Sequence, residues 1–257
     1  MNFKVYEAGN KNNQSIIFIH GFPLSHKMWE SVIEELQKDF YCLSYDIRGL
    51  GDTYTGDGQF TFEDLSDDVF EIIREYNLTK PVICGLSMGG YITYRCLERN
   101  QKLFKAAILC GSKPEADGNE GKLKRAAFIK MINNKGLPAF AGMFIPTTFS
   151  EKYAVDRADE LKNIIEESSS YSAVGVKGCC LAMACRTDTV QFLEKINIPA
   201  LFLSSEYDTL TTPAQLKNIA DKVKNSRFDI VPNAGHIFPV ENPAAAIERI
   251  SKFVKHL

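Results

Sequence analysis

The chain has 257 residues, of which 45% are hydrophobic and 24% are charged, and its formal net charge at pH 7 is −2. This length allows one large domain with a sizeable core, or two small domains. Because the charge is nearly balanced and no run of Lys or Arg occurs, neither nucleic acid nor an anionic membrane is favoured as a partner. No apolar run reaches membrane-spanning length, so no membrane segment is predicted.

The cysteines indicate a reducing environment. The start of the chain is polar and goes straight into the strand pattern at residues 15–19, which is not typical of a secretory signal. Cys179, Cys180 and Cys185 lie close together, but no histidine is near and their spacing fits no standard zinc pattern. We therefore expect a cytoplasmic protein with reduced thiols and no bound metal. The seven cysteines are Cys42, Cys84, Cys96, Cys110, Cys179, Cys180 and Cys185.

Short apolar runs alternate with helical patterns along the chain. The runs end in Gly, Ser, Asp or His and predict buried strands. The predicted strands are residues 15–19, 41–45, 81–84, 105–110, 199–204 and 228–231. The predicted helices are about 28–38, 62–76, 88–99, 214–224 and 243–255. This alternation predicts an α/β fold with a mostly parallel central sheet and helices on both faces.

One region interrupts the alternation. Residues 113–190 have helical character but contain no convincing strand, which predicts a helical insertion between two strands. The expected organisation is a core of residues 1–112 and 191–257 with an inserted helical cap at 113–190. Aromatic and Met side chains in the insertion either line a substrate pocket or, more commonly, form its own small core. These residues are Phe128, Met131, Phe140, Met143, Phe144 and Met183.

Ser87 stands in a sharp turn between a predicted strand and a predicted helix. The turn forces its central residue towards an unfavourable backbone conformation, so the flanking positions must lack bulk. Gly85 and Gly89 supply this in the G-x-S-x-G spacing, and Gly90 adds further room. This geometry raises the hydroxyl above the carboxyl edge of the sheet and makes Ser87 a candidate nucleophile.

A serine nucleophile needs a base, and the chain has four histidines. His236 directly follows the last predicted strand, at the sheet edge where Ser87 is expected, and is the candidate base. His256 lies beside the last residue and His26 lies in a loop. His20 precedes the glycine of a turn and is better interpreted as a loop-shaping residue.

The base needs a carboxylate to orient it. Asp208 lies in the loop after the strand at 199–204, which gives the chain order serine, aspartate, histidine. Three alternatives remain open: Glu206 in the same loop, and Glu115 or Asp117 after the strand at 105–110.

Acyl transfer also needs hydrogen-bond donors for a developing oxyanion. The backbone N–H of Met88, the residue after the candidate nucleophile, is one predicted donor. The backbone N–H of Phe22, in the loop after the first predicted strand, is the other.

Five segments in this order resemble the α/β-hydrolase superfamily over nearly the whole chain. They are "HGFP" (20–23), "DIRGLGDT" (46–53), "GLSMGG" (85–90), "EYDTLTTP" (206–213) and "AGH" (234–236). Two departures are mild, since Ser205 stands where glycine is usual and Thr53 where serine is usual.

The resemblance implies a role for each candidate residue. Ser87 is expected as nucleophile, Asp208 as acid and His236 as base, with the amides of Phe22 and Met88 as the oxyanion hole. The insertion corresponds to the family's helical cap. A serine nucleophile argues against haloalkane dehalogenases and epoxide hydrolases, which carry aspartate. The chain is most similar to small carboxylesterases, 3-oxoadipate enol-lactonases and cofactor-free serine haloperoxidases.

The expected function is hydrolysis of a small-molecule ester or lactone through an acyl-enzyme, with no cofactor. The same triad also serves C–C bond hydrolases, acyltransferases and perhydrolases. A ligand-sensing receptor that keeps the fold is the alternative outside enzymes. Cap and edge-strand surfaces are both able to pair copies of the chain, so no oligomeric state is predicted.

Overall fold

A single seven-stranded sheet organises the computed structural model, which describes residues 4–257. The strands are β1 (Val5–Ala8), β2 (Ser15–Ile19), β3 (Tyr41–Tyr45), β4 (Val82–Leu86), β5 (Ala106–Cys110), β6 (Ala200–Ser205) and β7 (Ser226–Val231). Their order across the sheet is β1-β3-β2-β4-β5-β6-β7. Only β1 runs antiparallel to its neighbour, which confirms the predicted mostly parallel α/β fold.

Eleven α-helices cover the sheet and its carboxyl edge within the described residues. They are α1 (Glu30–Leu36), α2 (Phe62–Glu75), α3 (Met88–Asn100), α4 (Asn119–Lys135), α5 (Leu137–Phe144), α6 (Glu151–Asp156), α7 (Ala158–Ser169), α8 (Ala173–Cys185), α9 (Pro213–Ala220), α10 (Phe238–Glu241) and α11 (Pro243–Val254). Helices α4 to α8 lie between β5 and β6 and form the predicted helical insert.

Successive strand residues point to opposite faces of the sheet and enter two separate hydrophobic clusters. In β2, Ile17 and Ile19 belong to the cluster that includes residues of α2, α3 and α9, whereas Ile16 and Phe18 belong to the cluster with α1 and α11. All five residues of β2 are buried. This explains why the central strands are nearly continuous apolar runs, because helices cover both faces.

Some boundaries differ from the sequence-based expectations. Strand β1 was not predicted, because this antiparallel edge strand is half exposed and its sequence, VYEA, carries polar residues. The predicted helix at 28–38 begins as a 3₁₀ turn, His26–Trp29, capped by the Ser25 hydroxyl. Helix α9 ends at Ala220, four residues before the predicted end.

The cysteines form no cross-links among residues 4–257. All seven cysteines are unpaired, and only Cys185 is exposed. Among the helices of residues 4–257, none combines the length and apolarity needed to cross a lipid bilayer.

Candidate active site

Ser87 joins β4 to α3 in a strained backbone conformation. Its φ and ψ are 56° and −114°, a region that L-residues rarely adopt and that costs on the order of 1–3 kcal/mol. The Ser87 N–H donates to the Cys110 carbonyl at 2.9 Å, and the Ser112 hydroxyl donates to the Ser87 carbonyl at 2.8 Å. Neighbouring β5 therefore holds the strained turn, and the Ser87 side chain remains partly exposed to solvent.

The flanking glycines allow the backbone to approach closely. A Cβ atom on Gly85 would lie 2.2 Å from the Gly89 carbonyl oxygen. A Cβ atom on Gly89 would lie 2.4 Å from the Ile19 carbonyl oxygen. Both contacts are with backbone and cannot relax by a side-chain rotation. The G-x-S-x-G spacing is thus a packing requirement of this turn.

Asp208 and His236 form a buried hydrogen-bonded pair. His236 Nδ1 lies 2.8 Å from Asp208 Oδ2, and their side chains are 4% and 0% exposed. The other oxygen, Asp208 Oδ1, accepts the N–H groups of Leu210 at 2.8 Å and Thr211 at 2.9 Å. With its Nδ1 proton donated to the carboxylate, neutral His236 carries a lone pair on Nε2. This Nε2 is buried and has no hydrogen-bond partner among residues 4–257.

The loop after β5 contacts both halves of the candidate site. Cys110 and Ser112 bond to the Ser87 backbone, as described above. Between them, a Cβ atom on Gly111 would lie 3.0 Å from Asp208 Oδ2 and 3.2 Å from His236 Nδ1. Three consecutive residues thus span from the serine turn to the Asp–His pair. The structure brings all three predicted triad residues to one rim of the sheet.

The alternative acids make other contacts. Glu206 is exposed, and its Oε2 accepts the Asn233 N–H at 2.8 Å. Asp117 bonds to Arg186 at 2.8 Å and to Arg125 at 3.0 Å. Buried Glu115 Oε2 has no hydrogen-bond partner within the described residues. Of the four acids considered, Asp208 alone hydrogen bonds to His236.

Two backbone amides have the properties of oxyanion donors. Neither Phe22 N–H nor Met88 N–H has an intramolecular acceptor within residues 4–257. Met88 is the first residue of α3, where an N–H has no partner inside the helix. The loop that carries Phe22 lies beside the nucleophile, since a Cβ atom on Gly21 would be 3.4 Å from Ser87 Cβ.

His20 and His26 support the loop rather than the reaction centre. The Ile47 N–H donates to His20 Nε2 at 2.9 Å, so His20 Nδ1 carries the proton and donates to the Gly21 carbonyl at 3.0 Å. Burial lowers the pKa of His20, which keeps the ring neutral. His26 bonds through Nδ1 to Asp46 Oδ1 at 2.8 Å.

Several of the predicted pocket residues form an aromatic cluster over the loop of Phe22. The Phe22 ring lies 6.0 Å from Phe140 and 5.8 Å from Phe144, centroid to centroid. Phe128 lies 5.1 Å from Phe140, and the rings of Phe140 and Phe144 are stacked. Met183 is buried in the same hydrophobic cluster, and partly buried Met131 packs against it.

Met143 is placed differently from the other five. Its side chain is 41% exposed and lies outside the hydrophobic cluster. The helical period explains the difference. Phe140 and Phe144 are four residues apart and share a face of α5, and Met143 falls beside that face.

Arg186 is a buried cation that the sequence interpretation missed. It lies in the segment where the insert returns to the sheet, is 7% exposed and bonds to Asp117. Its guanidinium lies 4.0 Å from the centroid of Tyr91, whose N–H donates to the Ser87 carbonyl. No local pattern marks such a residue, because Asp117 and Tyr91 lie in two distant segments of the chain.

Comparisons with known proteins agree with this architecture. The model of the alpha/beta hydrolase fold family matches residues 14–243. A curated relative, 3-oxoadipate enol-lactonase 2 of Acinetobacter baylyi, is 24% identical over 247 residues, covering 95% of this chain and 91% of that protein. The structure of an esterase from Thermogutta terrifontis superposes with a TM-score of 0.94 at 27% identity, over 99% of this chain and 93% of that chain.

A second solved structure shares the fold. The enol-lactonase of Burkholderia xenovorans superposes with a TM-score of 0.91 at 24% identity, over 98% of this chain and 96% of that chain. The match to the family model and the superposition on the solved structures lead to the same assignment. The chain belongs to the alpha/beta hydrolase fold family.

Proposed function

We propose that this protein is a serine hydrolase that cleaves a carboxylic ester or a lactone through an acyl-enzyme on Ser87. The observation that carries the proposal is the Asp208–His236 pair, with an unpartnered Nε2 at the rim where Ser87 emerges. The esterase and enol-lactonases to which the chain is similar support this substrate class.

In the acylation step, His236 Nε2 takes the proton of the Ser87 hydroxyl as Oγ attacks the substrate carbonyl carbon. Asp208 holds the imidazole in the required tautomer and stabilises the imidazolium. The amides of Phe22 and Met88 donate to the tetrahedral oxyanion. Nε2 then protonates the departing alkoxide. With an ester the alcohol leaves, whereas with a lactone it stays attached to the acyl group.

In the deacylation step, His236 Nε2 takes a proton from water, and the hydroxide attacks the acyl-enzyme carbonyl. The same two amides stabilise the second tetrahedral intermediate. Its collapse releases the carboxylic acid and returns the proton to Ser87 Oγ. This chemistry needs no metal or organic cofactor.

We further propose that residues 113–190 act as a cap that selects the substrate. Phe140 and Phe144 present an apolar surface to the loop of Phe22, and Phe128 packs against both of them. This surface favours an apolar acyl or alcohol group over a charged one, because burying an unpaired charge there would be costly.

The direct test is covalent labelling with a fluorophosphonate, followed by turnover of esters of increasing chain length, lactones and thioesters. We expect stoichiometric labelling and ester or lactone turnover, with both abolished in Ser87→Ala. Ser251→Ala, on α11, is the matched control and should behave as wild type. Wild-type protein that neither labels nor turns over esters would refute the proposal.

The same panel separates the other uses of this triad. Turnover of diketones or thioesters without ester turnover would favour C–C hydrolysis or acyl transfer. Ligand-dependent stabilisation with negligible turnover would favour a receptor.

A further inference from the structure

The loop that carries the candidate oxyanion donor Phe22 is held from two directions. Towards the sheet, the backbone N–H and the Nδ1 of His26 bond to Asp46 Oδ1 at 2.7 and 2.8 Å. Towards the insert, the Phe22 ring packs against Phe140 and Phe144 of α5, and the polar contact to α7 is made by Glu167. This second attachment plays no part in the mechanism proposed above.

Glu167 bridges the insert and the loop with both carboxylate oxygens. Its Oε1 accepts the Ser25 hydroxyl at 3.1 Å and the Tyr171 hydroxyl at 2.9 Å. Its Oε2 lies 3.3 Å from Lys27 Nζ. Ser25 is 4% exposed and also caps the 3₁₀ turn that ends the loop, accepting the Lys27 N–H at 3.4 Å. The position of Ser25 is therefore linked to the insert by Glu167.

Open space flanks this bridge. Two cavities of about 280 Å³ each lie on either side of it. Both are lined by Ser25, Lys27, Glu167 and Tyr171, so the bridge separates them. Between these two cavities, the polar contacts of Glu167 with Ser25 and Lys27 connect α7 to the loop.

We propose that Glu167 is a positioning residue that couples the insert to the oxyanion loop, so that the Phe22 N–H is correctly placed only when the insert is docked. This inference rests on the proposed function. An oxyanion donor must be placed to a fraction of an ångström, because it interacts with the transition state rather than the bound substrate. Loosening Ser25, three residues after Phe22, therefore acts on kcat.

The variant Glu167→Ala removes all three contacts. We expect kcat for a short ester to fall roughly tenfold. This is a smaller loss than the roughly 10²–10³-fold loss expected when an oxyanion donor is removed. The KM should change by less than about twofold, since ground-state binding is untouched. Glu167→Gln keeps an acceptor for Ser25 and Tyr171 and loses only an ion pair whose members are part exposed. This variant should retain wild-type kcat.

Glu160→Ala is the matched control. Glu160 lies on the same helix and bonds to the Tyr153 hydroxyl at 3.0 Å and to Arg157 at 2.6 Å, all within the insert. Its loss should leave kcat unchanged. A fall in kcat for Glu160→Ala equal to that of Glu167→Ala would show a general effect on the insert and would overturn the proposal.

Amide hydrogen exchange over residues 20–28 provides a readout that does not depend on turnover. We expect exchange in this segment to be faster for Glu167→Ala than for wild type, at unchanged global stability. Glu167→Gln and Glu160→Ala should exchange at the wild-type rate. Unchanged kcat or unchanged exchange in Glu167→Ala, with wild type active, would refute the positioning role alone. An inactive and unlabelled wild type would instead refute the proposed function.

Discussion

The imidazole of His236 is held by Asp208 across 2.8 Å, in a site that excludes solvent from both side chains. The carboxylate is itself oriented by two backbone N–H groups, so it cannot rotate away from the ring. The Nε2 edge of His236 is thereby left as an acceptor without a protein partner. The local hydrogen bonds thus prepare the ring as a base before substrate arrives.

Replacing Asp208 by Asn removes the acceptor that selects this tautomer. We expect kcat/KM to fall roughly 10³–10⁴-fold, with the fold retained, because the amide is nearly the same shape. Steady-state kinetics with an ester checks this. Glu206→Gln is the control and should stay within about threefold of wild type. The assignment of the acid would be wrong if Glu206→Gln lost as much activity as Asp208→Asn.

Gly111→Ala tests the loop that lies between the serine and the Asp–His pair. The new methyl group would meet both members of the pair at 3.0–3.2 Å, and φ is +46°, where side chains are strained. We expect an activity loss on the order of tenfold or more and destabilisation of about 1 kcal/mol.

The control for Gly111 is Gly142→Ala. A Cβ atom there meets nothing within 4 Å, and the position lies inside helix α5. The Gly142→Ala variant should therefore keep full activity, and its free energy of unfolding should rise by roughly 0.5–1 kcal/mol. Equal activity in the two alanine variants would show that Gly111 is not close enough to affect the pair.

Asp46 makes the folded state sensitive to acid. Burial alone would raise its pKa, but hydrogen bonds from the His26 side chain and from the backbone N–H groups of His26 and Asp52 lower the pKa to about 2. Because the pKa of Asp46 is lower in the folded state than in the unfolded state, its carboxylate stabilises the fold at pH values above the unfolded pKa. This stabilisation is lost as pH falls through about 2. We expect Asp46→Asn to cost on the order of 2 kcal/mol at pH 7, a difference that shrinks as pH falls below about 4.

Urea unfolding at a series of pH values measures this difference. Asp39→Asn, which removes an exposed ion pair with Lys255, should change the free energy of unfolding by less than about 0.5 kcal/mol. A cost for Asp46→Asn that stays constant from pH 7 to pH 3 would contradict the assigned pKa.

The thiols should divide sharply in reactivity. Burial raises the pKa of Cys42, of Cys96 and of Cys180 to about 12, and their thiolates are correspondingly rare at neutral pH. Cys185 alone is exposed. Titration with an aromatic disulfide reagent should modify one thiol in the native protein and all seven after denaturation. Cys185→Ser should abolish the native reaction, and rapid reaction of that variant would contradict the buried placement of the others.

Local patterns were informative where one segment supplies the whole physical constraint. The central strands are buried on both faces, so Ile16 to Ile19 are uniformly apolar and predictable. The turn at Ser87 requires glycine on both sides, and this leaves a readable spacing. Strand β1 was missed because a half-exposed edge carries no such constraint.

The sequence by itself determined the alternation of strands and helices, the helical insert and a short set of candidate side chains, since each depends on local periodicity and turn chemistry. Only the tertiary structure decided which acid meets His236, which ring of the insert reaches Phe22, and that Glu167 bridges to Ser25. Those contacts join residues far apart in the chain. Their energies depend on distances that exist only after the chain has folded, so no local pattern encodes them.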